Sequence, residues 1–360
     1  TLIKSWMANR WAKRLGARTV TDAKTQLGEG LGGVLTRAAL PSLGEGVTVT
    51  ELTRLTAGAA NETWRFEASG ASGKQTCILR RAPFVAEAAP EDSQNLGKAG
   101  EVRVQAAARQ AGVPAAEVLT VLTEADGLGD GYLMTALEGE TLPRKILRDE
   151  AYAALRPRLP ALCGAALAQL HQVAPAQVPD LAPSPAAQQL ERYETLYRSF
   201  EQPVPVFELA FRVLESRCPR EAPEGIVHGD FRIGNFMVGP EGLRAILDWE
   251  LAHLGDPMED LGWLCVPSWR FGVMDQPVGG FGQRRALWDA YEAAGGRLDA
   301  DRAAFWELFG ALKWGVMCMM MTRAHLSGAT VSVERAAIGR RVSETVLDVL
   351  NYLEGKESFP

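Results

Sequence analysis

The sequence lacks the features that mark secreted, disulfide-bonded and membrane-spanning proteins. Its five cysteines are scattered, odd in number and form no C-x-x-C pair, which favours a reducing, intracellular setting. The apolar run from Trp314 to Met321 is far shorter than the roughly 20 residues of a membrane-spanning helix, and we find no secretory signal. We therefore expect a cytoplasmic protein with no membrane role.

Basic stripes and aromatic-basic repeats are also missing. With a formal net charge of −6 and no such stripe, the chain lacks the electrostatic pattern of a nucleic-acid-binding protein, and we expect no nucleic acid as partner. What the chain does have is size and apolar content. A length of 360 residues with 47% hydrophobic residues is enough to bury a large core and suggests two lobes.

The most informative stretch runs from Ile226 to Glu250. His228-Gly229-Asp230 follows an apolar pair, and Asn235 follows Asp230 with four residues between them. This spacing is the H-x-D-x-x-x-x-N pattern of a kinase catalytic loop. The alternative is a plain polar turn between two strands. From average composition, however, the combination arises by chance on the order of once per thousand chains of this length.

A β-hairpin is predicted directly after this loop, because apolar runs flank the turn residues 239–242. If the two strands pair symmetrically about this turn, Asp248 falls opposite Ile233, within a residue or two of Asn235. We therefore expect Asp248 and Asn235 to lie side by side at the open end of the hairpin, next to Asp230.

Phosphoryl transfer explains these residue types. A site for this reaction needs oxygen ligands for Mg²⁺ and one carboxylate that faces the acceptor hydroxyl. We assign Mg²⁺ ligation to Asn235 and Asp248, and the role of general base to Asp230. His228 is expected to pack and orient the loop. A transition-metal site formed by His228, His253, Asp248 and Asp256 is the alternative, but Mg²⁺ prefers the oxygen ligands already assigned.

Three strings in this region, HGDFRIGN, ILDWE and GDPMEDL, carry a family resemblance. They resemble the aminoglycoside phosphotransferase and choline kinase family, over a region from about Val47 to the C-terminus. The resemblance implies an α+β, two-lobed, protein-kinase-like fold, with a small antiparallel-sheet N-lobe and a larger, mostly helical C-lobe. It also implies ATP and Mg²⁺ as cofactors and a hydroxyl of a small molecule as the acceptor.

The same resemblance divides the chain into three parts. We predict an N-terminal helical extension over 1–46, a nucleotide-binding N-lobe over 47–137, and a C-lobe with the catalytic loop and acceptor site over 138–360. The extension begins as a basic amphipathic helix, which we expect to pack on the smaller lobe. A membrane-surface or partner-binding role for that helix is the alternative.

Two N-lobe segments are expected to hold the triphosphate. A hairpin joined by residues 57–62 offers Gly58 for close backbone approach and Asn61 for unusual backbone dihedrals. The strand that follows ends in Leu79-Arg80-Arg81, where kinases carry a phosphate-binding lysine. By resemblance we assign the phosphate grip to Arg80, although adjacent strand residues point in opposite directions and Arg81 is the alternative.

Further residues complete the predicted nucleotide site. Glu101, on a helix from Lys98 to Gln110, is the expected carboxylate partner of the phosphate-binding arginine, with an ordinary surface glutamate as the alternative. Adenine is expected to bond to the backbone of the hinge at Thr135 and Leu137.

The helix after the hairpin begins with a capping pattern. In Asp256-Pro257-Met258-Glu259, we predict Asp256 as N-cap, proline at the first helical position and Glu259 as the capping glutamate. Asp256 is therefore expected to be a cap and not a metal ligand. Asp260, by resemblance, is expected to brace the catalytic loop.

The acceptor is expected to be an intracellular metabolite, with a hydroxyacyl-CoA as the leading candidate. The stretch WELAHLGDPMEDLGWL resembles kinase-like domains associated with acyl-CoA dehydrogenases. From its glycines and aromatics we expect 268–282 to be a mobile loop beside the active cleft, with a surface crossing as the alternative. Arginines in this loop and in a predicted amphipathic helix over 333–353 suggest a wall that suits phosphates better than amino sugars. These arginines are Arg270, Arg335, Arg340 and Arg341. An ordinary set of surface charges is the alternative.

Other functional classes are less well supported by the sequence. An aminoglycoside-type antibiotic kinase and a catalytically weak nucleotide-binding regulator both fit the fold. Intact Asp230, Asn235 and Asp248 argue against the regulator. A hydrolase that uses His228 and Asp230 would need a nucleophile motif such as G-x-S-x-G, and the sequence has none.

Overall fold

The computed structural model describes residues 31–39, 43–55, 61–82, 96–329 and 331–357. The chain divides into two compact units: residues 1–89 with 118–136, and residues 90–117 with 137–360. One boundary between the units falls within the predicted hinge. The predicted helix at Lys98 to Gln110 belongs to the second unit, although the predicted N-lobe included it. The basic amphipathic helix at the N-terminus lies outside the described residues.

The first unit is built on a five-stranded sheet in which all neighbouring strands are antiparallel. The spatial order is β1-β2-β3-β5-β4. The strands are β1 (Thr48–Leu55), β2 (Glu62–Gly70), β3 (Gly73–Arg81), β4 (Val118–Val121) and β5 (Gly131–Thr135). The predicted hairpin, the predicted strand that ends at Arg81 and the predicted antiparallel N-lobe sheet are therefore confirmed.

Alternation along the strands explains which face of this sheet is buried. Phe66 and Ala68 on β2, and Cys77 and Leu79 on β3, are fully buried, and their neighbours along each strand are less so. Residues 31–39 form a helix whose leucines, including Leu35, pack in the same core. One face of the sheet thus carries the core of the first unit.

The second unit is mainly helical and has its own, larger core. Its helices are α1 (Gly97–Gln110), α2 (Pro143–Arg148), α3 (Leu159–His171), α4 (Ala186–Arg198), α5 (Pro205–Arg217), α6 (Met258–Cys265), α7 (Arg284–Ala293), α8 (Ala300–Leu326), α9 (Val333–Gly339) and α10 (Val342–Leu353). No helix in the described part of the chain is long and apolar enough to cross a membrane.

Helix α8 is the central element of this core. It is buried nearly all round, as its apolar composition predicts, and it packs against α4, α5, α6, α9 and α10. The contact with α6 depends on a glycine, Gly262, which has no side chain. A Cβ at Gly262 would lie 2.7 Å from the Cβ of Trp306 and 2.8 Å from the backbone nitrogen of Glu307. Glycine therefore sets the close approach of the two helices.

Two short two-stranded sheets hold the predicted catalytic segment. Strands β6 (Gly225–Val227) and β9 (His253–Gly255) pair antiparallel, as do β7 (Phe236–Gly239) and β8 (Gly242–Ile246). The second pair is the hairpin predicted from the turn residues, and this prediction is confirmed.

Two predictions about the C-terminal part are wrong. Residues 333–353 form two helices, and the first ends at Gly339, a poor helix former that packs so close to α8 that a Cβ there would lie 1.7 Å from the Thr322 hydroxyl oxygen. The chain turns at this contact. The segment 268–282, expected as a mobile loop or a surface crossing, is instead packed into the core through Trp269 and Val278.

Candidate active site

The predicted catalytic loop, residues 228–235, connects β6 to β7 in the second unit. Its turn requires a glycine. Gly229 has φ +79°, and a Cβ at this position would lie 2.5 Å from the carbonyl oxygen of Leu251. An L side chain is strained at such a dihedral and has no room here, which explains the small residue between His228 and Asp230.

Asp260 holds the backbone of this loop from α6. Its side chain is fully buried, and its two oxygens accept hydrogen bonds from the backbone N–H of His228 (2.8 Å) and of Gly229 (3.0 Å). The ring of His171 lies 3.2 Å from the same carboxylate and 2.9 Å from the Tyr291 hydroxyl. The predicted bracing by Asp260 is therefore present, and His171 orients the brace.

Asp230, the predicted base, is held by three side chains. The Nε of Arg232 donates to both of its oxygens, at 2.9 and 3.1 Å. Trp263 Nε1 donates to Oδ1 at 2.8 Å, and Asn235 Nδ2 donates to Oδ2 at 2.7 Å. Three donors from two chain segments thus hold the carboxylate in one orientation.

Asn235 lies between the predicted base and the hairpin. Its Nδ2 also donates to the carbonyl oxygen of Asp230 at 2.9 Å, so the side-chain amide is held at its nitrogen end. Among the described residues, no group donates to its Oδ1. The backbone N–H of Leu247 donates to the Asn235 carbonyl at 2.8 Å, which places Asp248 next to this pair of residues. Asp248 adopts the left-handed conformation with φ 69°.

The predicted facing of Asp248 and Ile233 is wrong by one residue. The hairpin has the expected register near its turn, but Arg244 is an extra residue on β8, so Phe236 pairs with Ile246 at the open end. Apolar alternation along a strand does not reveal such a bulge. The shift moves Asp248 closer to Asn235 along the backbone, so these two residues are still neighbours across the open end of the hairpin.

His228 has a structural position. Its Nε2 lies 3.0 Å from the carbonyl oxygen of Leu247, and its Nδ1 accepts the backbone N–H of Asp230 at 3.2 Å. The ring also packs against Trp249, with 4.7 Å between centroids. Both ring nitrogens are therefore engaged, as expected for a residue that orients the loop.

Arg80 and Arg81 lie on opposite faces of the sheet in the first unit. Arg81 is 2% exposed and shares the buried face with Cys77 and Leu79. Its Nε and Nη2 donate to one oxygen of Glu62, at 2.9 and 2.7 Å. Arg81 therefore serves a cross-strand ion pair, and Arg80 stays the candidate for the phosphate grip.

The other predicted nucleotide-binding residues can be located only by their places along the chain. Asn61 directly precedes β2 and is partly exposed. Thr135 is the last residue of β5, and Leu137 is the first residue of the second unit after the boundary. Gly58 lies outside the described residues. The nucleotide-binding roles of all four residues stay predictions.

Glu101 is not a surface glutamate, since it is only 1% exposed on α1. Lys98, one helical turn earlier, forms an ion pair with it, and Lys98 also lies 4.0 Å from Glu250. Only one residue, Trp249, lies between Glu250 and Asp248. Glu101 is thereby linked, through Lys98, to the chain segment that carries a predicted metal ligand.

The predicted capping box at the start of α6 is only half right. Asp256 accepts the backbone N–H of Met258 at 3.1 Å, so it does cap, although the helix begins at Met258. Glu259 is not a capping residue. It points into the core, where its Oε2 accepts from Gln189 at 2.7 Å and its Oε1 lies 3.4 Å from Lys313 Nζ. Tertiary partners have replaced the local one.

Glu259, His253 and Lys313 form a buried charge cluster. The distance from Glu259 Oε2 to His253 Nε2 is 3.1 Å. Burial alone would raise the pKa of Glu259, but the charges of His253 and Lys313 lower it to about 2. Burial would likewise lower the pKa of His253, yet the Glu259 carboxylate raises it. Each charge is stabilised by the others.

The alternative of a transition-metal site has no support in the geometry. In the part of the chain that the structure describes, no group of three or more His, Cys, Asp or Glu side chains is arranged to hold a metal. The ring of His253 is already engaged with Glu259 and with the Leu251 carbonyl oxygen at 2.9 Å. Asn235 and Asp248 offer amide and carboxylate oxygens, the donors that Mg²⁺ prefers.

Sequence reasoning did not single out three residues of the site. Arg232 stands inside the HGDFRIGN string and contacts the base two residues before it. Trp263 follows Asp260 by three residues, a spacing that puts both on one helix face. These two signals were readable. Lys98 carries no signal of this kind, because its buried partners become apparent only in the folded structure.

The fold and the site together define a protein-kinase-like phosphotransferase. Residues 51–300 match the phosphotransferase enzyme family, and the chain belongs to that family. A curated relative, acyl-CoA dehydrogenase family member 10 of Mus musculus, is 30% identical over 181 residues. This match covers 46% of the present chain and 16% of the mouse protein, so the chain spans only a small part of that relative's length.

Solved structures show the same fold. A protein from Ralstonia eutropha JMP134 assigned as an aminoglycoside phosphotransferase superposes with a TM-score of 0.70 at 23% identity, covering 91% of this chain and 98% of that one. Spectinomycin phosphotransferase in complex with ADP and spectinomycin gives a TM-score of 0.58 at 12% identity, with 89% and 97% covered. At these identities the likeness establishes the fold, and the predicted kinase-like class is confirmed.

The buried charge cluster predicts a pH-dependent contribution to stability. Because the pKa of Glu259 is lowered from 4.5 to about 2, its charge stabilises the folded state above pH 4.5, and this contribution is lost as the pH falls toward 2. Glu259→Gln leaves Lys313 without its carboxylate and should cost ~3–5 kcal/mol at neutral pH. Urea unfolding at several pH values measures both effects.

The matched control is Glu215→Gln, at an exposed position on α5 of the same unit. This variant should change stability by less than about 0.5 kcal/mol. A Glu259→Gln protein as stable as the control at neutral pH would show that the cluster contributes nothing.

Proposed function

We propose that the protein is an ATP- and Mg²⁺-dependent kinase that phosphorylates a hydroxyl of a small molecule. One observation carries this proposal. The carboxylate of Asp230 is held in one orientation by Asn235 and other donors, while Asn235 is itself anchored to the strand that leads to Asp248. This arrangement supports a base at Asp230 and two oxygen ligands, at Asn235 and Asp248, next to the open end of the hairpin, as phosphoryl transfer requires.

Each residue has a distinct role in this proposal. Asp230 accepts the proton of the acceptor hydroxyl as the oxygen of that hydroxyl attacks the γ-phosphate. Asn235 Oδ1 and the Asp248 carboxylate hold the metal ion. When bound, Mg²⁺-ATP supplies the γ-phosphoryl group and the positive charge that neutralises it. Asp260 keeps the loop in place, since its carboxylate bonds two successive backbone N–H groups.

Six residues are proposed to bind the nucleotide. Arg80 is the proposed phosphate grip, because Arg81 is already committed to Glu62. The remaining proposed nucleotide-binding residues are Gly58, Asn61, Glu101, Thr135 and Leu137. Nucleotide use is supported by the related spectinomycin phosphotransferase, whose structure contains ADP. Its use by this chain is our proposal.

The acceptor is proposed to be an anionic metabolite, with a hydroxyacyl-CoA as the leading candidate. The match to acyl-CoA dehydrogenase family member 10 supports this choice. A cavity of about 580 Å³ in the second unit has room for a small-molecule acceptor and is partly apolar. Its lining includes Ser268, Phe271, Met274 and Leu347, together with two arginines and two carboxylates, Arg144, Arg341, Glu344 and Asp348.

The predicted wall of arginines does not include Arg270, so this part of the prediction is wrong. Arg270 is 1% exposed and donates to both oxygens of Glu357, at 3.0 Å each. The charge of Arg270 is therefore neutralised by Glu357 inside the core and does not face a ligand. Arg341 does line the cavity, but it pairs with Glu344 at 3.0 Å. Preference for an anion must come from elsewhere in the site.

Asp230→Asn tests the proposed mechanism. The substitution removes the base but retains the metal ligands, so kcat should fall by at least ~100-fold with little change in nucleotide affinity. Asp248→Ala should instead abolish Mg²⁺-dependent nucleotide binding. The measurements are ATP consumption with an acceptor found by screening pooled alcohols, amino sugars and hydroxyacyl thioesters, and calorimetry with a non-hydrolysable ATP analogue.

Asp289→Asn, an exposed change on α7, is the control and should leave both quantities unaltered. Substantial turnover by Asp230→Asn would show that this carboxylate is not the base. ATP consumption by no acceptor in the screen, together with nucleotide binding, would favour the regulator.

Arg80→Ala and Arg81→Ala should have different effects. Loss of a charge-assisted contact at Arg80 should weaken nucleotide binding by about 10-fold or more. Arg81→Ala should change this affinity little but lower the melting temperature, because Glu62 loses its buried partner. Calorimetry and thermal unfolding of both variants provide the comparison. Similar nucleotide affinities in the two variants would rule out Arg80 as the grip.

The acceptor class can be tested by direct binding. With Mg²⁺ and a non-hydrolysable ATP analogue present, calorimetric titration with a 4-hydroxyacyl-CoA should show saturable binding, and titration with kanamycin should not. The reason is that a polycationic amino sugar needs a dense acidic wall. Tight kanamycin binding with no response to the thioester would support the antibiotic-kinase alternative instead.

A further inference from the structure

Arg232 occupies an unusual position for a residue with a purely structural role. Its Nε contacts both oxygens of Asp230, and its guanidinium carbon lies 4.8 Å from the centre of the Trp269 ring. The side chain is nevertheless 26% exposed. The ion pair and the stacking contact therefore hold a charged group at the surface, directly beside the proposed base.

We propose that Arg232 selects the acceptor by binding an anionic group, a carboxylate or a phosphate, close to the hydroxyl that is phosphorylated. This inference rests on the proposed kinase function and narrows its substrate class. An acceptor of this kind would place its hydroxyl at Asp230 and its negative charge at the outer edge of the guanidinium.

The hydrogen-bonding capacity of Arg232 supports this role. A guanidinium has five N–H donors, and only the single Nε–H is used within the described parts of the chain. The four N–H groups on Nη1 and Nη2 meet no described acceptor. They form a planar fork whose orientation is already restricted by Trp269, and such a fork matches carboxylate and phosphate oxygens.

Asp230 does not need Arg232 for its orientation. Trp263 Nε1 and Asn235 Nδ2 already donate to its two oxygens separately. A third donor, one that is charged, is therefore surplus to positioning. What Arg232 adds is a positive charge at the point where the acceptor must approach.

The surrounding charges favour the same sign of ligand. Lys313 Nζ lies 5.1 Å from the centre of the Trp263 ring. A second positive charge is therefore in contact with the tryptophan that donates to Asp230. The carboxylate of Glu259 is paired with Lys313 and His253. A cationic acceptor would be repelled by the guanidinium of Arg232, whereas an anion would be attracted.

Three small alcohols test this inference. Glycerate, glycerol and aminopropanediol share neighbouring hydroxyls and differ in charge. With Mg²⁺-ATP, wild-type protein should show a kcat/KM at least about tenfold higher for glycerate than for aminopropanediol. Arg232→Gln should raise the KM for glycerate about tenfold more than the KM for glycerol, and Arg232→Lys should restore part of the difference.

Arg297→Gln, at an exposed position of the same unit, is the control for nonspecific charge effects and should retain the wild-type preference. A uniform fall in kcat for all three alcohols in Arg232→Gln, with the ratios of KM unchanged, would mean that Arg232 acts only on Asp230. Wild-type turnover without a preference for glycerate would overturn the inference alone.

A binding measurement separates this inference from the proposed function. Inorganic phosphate and glycerate, added with Mg²⁺ and a non-hydrolysable ATP analogue, should raise the melting temperature of the wild type more than that of Arg232→Gln. If this difference appears but no alcohol is phosphorylated, the anion site stands and the kinase proposal fails. Equal shifts in both proteins would overturn the anion site.

Discussion

The arrangement of the site depends on one buried carboxylate, that of Asp260. Two backbone N–H groups of the catalytic loop would otherwise be buried without acceptors, which costs about 1–3 kcal/mol each. Asp260 accepts both, and it does so from α6, a helix held against α8 by the absence of a side chain at Gly262. The same helix brings Trp263 to Asp230. Position of the loop and orientation of the base thus have a common origin.

The polar groups of α6 show how such a helix can be buried at all. Asp256, Glu259 and Asp260 are all nearly inaccessible, and each has partners from a different part of the chain. Asp256 accepts from Trp306 at 2.9 Å, and Glu259 accepts from Gln189. Burial of several carboxylates is tolerable only when each one is paired and hydrogen-bonded. The consequence is a rigid support behind the loop.

Sequence patterns predicted what is encoded locally. The hairpin and the proximity of Asn235 and Asp248 follow from turn chemistry and alternation, and both are present in the structure. The prediction that Glu259 caps the helix is wrong, because its carboxylate pairs with Lys313, 54 residues away, and not with the nearby backbone. The prediction that Arg270 lines the acceptor site is wrong for the same reason, since its partner Glu357 lies 87 residues away. Long-range pairing cannot be seen in spacing alone.

This distinction explains why the reaction class is easier to infer than the acceptor. The proposed base and metal ligands come from one continuous segment, so that their relative positions follow from the geometry of a loop and a hairpin. The proposed acceptor side combines Arg232 from that loop with Trp269, which packs in turn against Trp263 and Trp314 on two other elements. Such a surface exists only after the helices have packed. Two chains can therefore share the transfer machinery, and the family, while differing in what they phosphorylate.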